Sequence, residues 1–142
     1  MKKFSIIAVF IFAFMISSSV LAADWVKIHS EDTEDFKLSC YVDKNSIRHG
    51  INAKKYNFSR SDGFTVLTKD EVKTKKPDPV IMYWLTGFFE ENGKIKYCIL
   101  DIQDENRHSY MKDVKNITIS DAEETGSESW LFIYNYVKKN LL

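Results

Sequence analysis

The sequence has little of what disordered or repetitive chains are built from. Its 142 residues include only five glycines and two prolines, against 14% aromatics. That balance excludes a solvated tail and favours an ordered, well-packed body. Neither sign of charge is in excess, with 20 Lys and Arg against 20 Asp and Glu. No nucleic-acid partner is expected, because such a partner needs a basic face. The longest apolar stretch, Phe4 to Met15, falls short of the roughly 20 residues a membrane-spanning helix needs. His29, His49 and His108 are too scattered for metal-ligand spacing. The acidic stretches Glu31 to Asp35 and Asp101 to Asn106 lack the glycine and ligand order of a calcium loop. There is no Gly-rich phosphate loop and no G-x-S-x-G nucleophile turn. No catalytic, cofactor-binding or metal-binding residue is singled out, and an enzyme is not expected.

What is present begins with a leader. Lys2 and Lys3 precede the apolar stretch, Ser17 to Ser19 follow it, and Val20-Leu21-Ala22-Ala23 supplies small residues for cleavage. This is the order of a secretory signal peptide. The expected cut follows Ala22, with Ala23 as the alternative, so residues 1–22 form the leader and 23–142 one domain of ordinary size. The leader removes two lysines, leaving 18 basic against 20 acidic residues and a net charge of −2. The first cysteine after the cut is Cys40, so no acceptor for a lipid anchor is visible. The expected location is the bacterial periplasm or the exterior, without a permanent membrane anchor.

The body reads mostly as strands. Trp25 to His29 opens it; Phe36, Leu38, Cys40 and Val42 then alternate with polar neighbours, the pattern of a strand with one buried face. Asp43 is placed to cap the Lys44-Asn45-Ser46 turn, and Gly50 to let the chain reverse. Asp62-Gly63 predicts a second reversal between 52–59 and 64–68, and Asn92-Gly93 a third and stronger one. The arms around Asn92-Gly93 are apolar on both faces, which places them centrally. A two-residue loop there pairs Gly87 with Cys98, Leu85 with Leu100 and Tyr83 with Ile102, setting Cys98, Leu100 and Ile102 on one face. Further strands are expected over 108–111 and 117–119. The period then becomes helical. Trp130, Ile133, Tyr134, Val137 and Leu141 form one stripe at helical spacing, and a helix is expected over about 127–139, with Thr125 and Glu128 as a capping box. The expected fold class is α+β: a single hairpin-rich antiparallel sheet of about five to six strands, with the C-terminal helix packed on it.

Cys40 and Cys98 lie on apolar strand faces in an exported chain, and a disulfide between them is expected, contributing about 4 kcal/mol. The alternative is two buried thiols that never meet. Lys69, Lys73, Lys75 and Lys76 fall in the polar stretch 69–79, read as a mobile connector where a partner can reach them. The other reading of that stretch is a solubilising loop. Tyr56, Phe58 and Phe64 flank Asp62-Gly63, and burial under the helix is their expected fate.

The early Trp25, then Tyr41-Val42-Asp43 with Ser46-Ile47, then Tyr56, resembles the surface-adhesin protein E-like family of small exported bacterial proteins. Asn92-Gly93 and Glu128 are similar to its central hairpin and its acidic helix residue. The resemblance implies an antiparallel sheet with a helix, and adhesion to matrix or serum proteins. The chain departs from the family in lacking a lipidation cysteine and a cysteine near the C-terminus. No binding residue is carried over, because Tyr41 and Ile47 are read as packing and Asp43 as capping. The expected function is therefore an exported, non-enzymatic, adhesin-like binding module for an extracellular or envelope protein. A periplasmic small-ligand carrier, marked by a pocket of converging titratable groups, and an envelope structural protein, marked by edge-to-edge assembly, are the alternatives.

Overall fold

Alternation and turn chemistry produce seven strands and one helix over residues 22–124 and 128–140, the residues that the computed structural model describes. Residues 1–21 of the expected leader (1–22), together with Thr125 and Leu141, lie outside them. The strands are β1 (Trp25–Asp32), β2 (Lys37–Asp43), β3 (Arg48–Ala53), β4 (Phe58–Lys73), β5 (Val80–Glu91), β6 (Lys94–Gln103) and β7 (Ile119–Asp121), followed by α1 (Glu128–Asn140). They form one antiparallel sheet in the order β1-β2-β4-β5-β6-β7, with β3 also paired to β4. The α+β architecture is as expected, with slightly more strands. The last strand falls at Ile119–Asp121 rather than 117–119, and Ser109 makes only an isolated bridge to Gln103.

The stretch from Cys40 to Gly50 does not reverse the chain. β2 pairs with Thr68–Lys73 of β4, and β3 pairs with Phe58–Thr65 of the same strand, both antiparallel. β2 and β3 therefore run one after the other along one edge of β4, and the 3₁₀ turn Lys44–Ser46 is a step between them. Asp43 holds the step: its Oδ1 accepts from the Asn45 amide at 3.0 Å and the Asp24 amide at 2.9 Å. Ser46 Oγ donates to the Asp43 carbonyl and accepts from the Leu67 amide at 2.8 Å, filling the gap the step leaves in the ladder. The true reversal is at Lys54–Tyr56, where Asn57 takes φ 51°. Asp62-Gly63 is part of a bulge inside β4, where Ser61, Asp62 and Gly63 lie opposite Gly50, and not a hairpin. Gly63 has φ +86°, and a Cβ there would meet the Phe88 carbonyl at 2.1 Å. A dipeptide tolerant of positive φ serves a bulge as well as a turn, so composition alone did not separate the two.

Two layers cover the sheet. On one face Ile133, Tyr134 and Val137 of α1 pack on Val42, Phe64, Val66, Phe88 and Tyr97, with Trp130 stacked on Tyr97 at 4.5 Å. Burying each such large side chain stabilises the fold by about 2–3 kcal/mol. On the other face Ile51, Phe89 and Cys98 pack with Phe58, Leu100 and Ile117. Gly87 makes room there, since a Cβ would lie 2.9 Å from Ile51 Cδ1. Phe64 is thus under the helix as expected, whereas Phe58 and Tyr56 belong to the opposite face, where Tyr56 Oη donates to the Leu100 carbonyl.

The Asn92-Gly93 turn and the Gly87–Cys98 pairing are as expected, but the register then slips. Thr86 pairs with Ile99 and Leu85 with Asp101, so Leu100 is the extra residue of a bulge. Ile102 consequently pairs with Trp84 and lines a cavity beside Tyr97 and Ile99 on the helix face, away from Cys98.

The cysteines are free. Cys40 packs in the helix-side core and Cys98 in the opposite one, three strand spacings apart in the sheet. That separation is about 14 Å, beyond the roughly 7 Å between Cα atoms that a disulfide can span. Burial pushes the Cys98 thiol up to about 11 and the Cys40 thiol further still. The expected disulfide is therefore replaced by two inert core thiols.

Two measurements check these features. Asp43→Ala removes a carboxylate that accepts two amides and is expected to cost about 2 kcal/mol. It should lower the urea midpoint at unchanged m-value; a loss below about 0.5 kcal/mol would show that the step holds itself. Thiol titration without reductant should find both cysteines unreactive in folded protein and both titrating in denaturant. No free thiol under denaturing conditions would restore the disulfide.

Candidate binding surface

Alternation sends Trp25, Lys27, Tyr41, Lys69 and Tyr83 to the sheet face away from α1. Lys27 pairs with Tyr41, Tyr41 with Lys69, and Lys69 with Tyr83, so the row crosses β1, β2, β4 and β5. Aromatic rings and cations interleave along it. Lys69 Nζ lies 4.7 Å from the ring centroids of both Trp25 and Tyr41. Lys27 Nζ is 5.7 Å from Tyr41, and Trp25 and Tyr83 are 5.8 Å apart. The row ends on Arg107, whose guanidinium sits 4.0 Å over Tyr83. These separations are those of cation–π contacts.

Arg107 reaches that ring from a backbone with φ 67°, a conformation most side chains avoid. Asp104 holds it there: its Oδ1 accepts from the Asn106 and His108 amides, both at 2.9 Å, and its carbonyl accepts from the Arg107 amide. Among the described residues, Lys27, Lys69 and Arg107 form no ion pair with a carboxylate. Trp25, Tyr41, Lys69 and Tyr83 are half-exposed, and Lys27 and Arg107 exposed.

The four lysines expected to lie in one connector are not together. Lys69 is inside β4 and belongs to the aromatic row. Lys73 ends β4, 3.5 Å from Glu71. Lys75 and Lys76 alone fall in the exposed connector, which spans 74–79. β4 extends to Lys73 because that segment has β2 and β5 on its two edges, and pairing overrides its polar composition. Trp25, Lys27, Tyr41, Tyr83 and Arg107 were not legible as a group, since their meeting depends on strand order.

On the opposite face, under the start of α1, a cavity of about 240 Å³ is lined by Cys40, Thr68, Asp70, Trp84, Ser129, Trp130 and Ile133. Asp70 pairs with Cys40 across β2 and β4, and its carboxyl is mostly buried. Burial raises the Asp70 pKa, against the opposing pull of the Cys40 thiol, the Trp84 indole and the more distant His29. Trp84 Nε1 is itself buried and makes no hydrogen bond of proper geometry, so its help to Asp70 is weak. Among the described residues, no group of three His, Cys, Asp or Glu side chains is placed to hold a metal ion, and no helix is long and apolar enough to cross a membrane. Comparison with protein-family models, curated proteins and solved structures finds no match.

The raised Asp70 pKa fixes a sign for stability. Between the unfolded value near 4 and the higher folded value, the native state holds a proton that the unfolded state has released, so stability falls as pH rises through that window. Asp70→Asn should therefore melt above the parent at pH 7, with the gap closing below about pH 4. Calorimetry across pH checks this; a gap that widens in acid would mean that ionised Asp70 is stabilised in the fold.

Proposed function

We propose that this chain is an exported, non-enzymatic binding module that engages an acidic segment of an extracellular or envelope protein. The contact surface is the sheet face away from α1, carrying Trp25, Tyr41, Lys69, Tyr83 and Arg107. One observation carries the reading: Lys27, Lys69 and Arg107 rest on aromatic rings with no carboxylate partner among the described residues. Cations pre-positioned on rings supply both an electrostatic match for carboxylates and large, stiff contact area. Tyr, Trp and Arg are the residues that dominate protein interfaces in this way. The leader-like N-terminus and the resemblance to the adhesin family support export and adhesion. Asp43 and Ser46 play the structural part expected of them, whereas Tyr41 of the same block, expected only to pack, stands half-exposed in the row.

Biolayer interferometry of the purified chain against immobilised matrix, serum and envelope proteins tests the proposal. An acidic member of the panel should bind, more weakly as salt rises. The double charge reversal Lys69→Glu with Arg107→Glu should weaken that binding at least about tenfold while leaving the melting curve near the parent's. Absence of binding across the panel, or indifference to the reversal, would overturn it.

A further inference from the structure

The cavity under α1 lies on the other side of the sheet from the aromatic row. Its chemistry is different as well. Asp70 is the one acidic side chain on its wall, and Trp84 and Trp130 contribute indole surface, meeting edge to face at 6.0 Å and 83°. Cys40, Thr68, Ser129 and Ile133 complete the lining, and none of them brings a positive charge. Among the described residues no lysine or arginine pairs with Asp70. The basic group whose field reaches it is His29, which is turned to Glu31 at 3.1 Å and stacked on Phe132 at 4.7 Å.

A mostly buried carboxyl without a counter-charge is costly to keep ionised. A cation entering the cavity would relieve that cost, and the indoles favour a cation with a greasy, weakly hydrated surface over a small, strongly hydrated metal ion. We propose that this cavity is a binding site for a small organic cation, an alkylammonium or quaternary ammonium group held against the Asp70 carboxylate by Trp84 and Trp130. The raised pKa of Asp70 makes binding stronger as pH rises and the carboxyl ionises.

Tryptophan fluorescence of the purified chain, titrated with choline chloride and with ethanolamine hydrochloride against sodium chloride at matched ionic strength, tests the site. A saturable change with either organic cation and none with sodium is the expected result. The ranking of the two tells a quaternary head from a primary ammonium. Asp70→Asn should weaken the response at least about tenfold. Ser129→Lys, which places a tethered ammonium on the first turn of α1 beside the same cavity, should weaken it similarly while leaving the fold intact. If Asp70→Asn fails to fold by circular dichroism, Ser129→Lys decides. No saturation with either cation, or parental affinity in the folded variants, would overturn the proposal.

Discussion

Phe88 and Phe89 are neighbours in the chain and must point to opposite faces of β5, yet both are fully buried. The sheet therefore has to be covered twice at that point, and most of the architecture follows from this requirement. One cover is α1, which lays Ile133, Tyr134 and Val137 over Phe88 and Phe64. The other is the far end of the β3–β4 arm, which brings Ile51 down on Gly87 and Cys98. Arg60 closes that second cover. Its guanidinium sits 4.1 Å over Phe89 while it pairs with Asp62 at 2.8 Å and Glu91 at 3.2 Å. The arm needs slack to curl over the sheet, and the Asp62-Gly63 bulge together with the Lys44–Ser46 step provides it.

The two covers do not extend over the whole sheet. Toward β1 the face away from α1 carries no second layer among the described residues, and that is where Trp25, Tyr41, Lys69 and Tyr83 lie. Beside the start of α1 the helix does not seal the sheet fully, and the Asp70 cavity remains. Both candidate sites are thus places where a cover ends. Core packing fixes where the strands lie, and the strands fix which side chains are left unoccupied.

The parts of this fold legible in the sequence were those governed by local chemistry. Alternation marked β2, helical spacing marked α1, and positive-φ tolerance at Asn92-Gly93 marked the central turn. Uninterrupted apolar stretches correctly placed β5 and β6 inside the sheet. What failed depended on pairing. Gly50 and Asp62-Gly63 looked like reversals because glycine marks bulges and turns alike, and only the partner strand distinguishes them. The Leu100 bulge moved Ile102 to the other face without any signature in composition. Of the candidate site, Lys69 was singled out, but as a member of a mobile connector. Its aromatic neighbours come from residues 25, 41 and 83, and a single sequence does not state that they meet. The disulfide expectation failed for the same reason, since equal apolar faces on two strands need not be the same face.

Lys69 and Asp70 are consecutive residues of β4, and the pleat sends one to the aromatic row and the other into the cavity. A single peptide unit thus separates a cation on the outer rings from a sequestered anion. Inserting or deleting one residue in this half of β4 would exchange them, burying an ammonium beneath the helix and presenting a carboxylate among the outer rings. Neither surface can drift independently of its neighbour at this point. The phase of one strand is shared property of both faces, and length variation here should be tolerated less than substitution on either side.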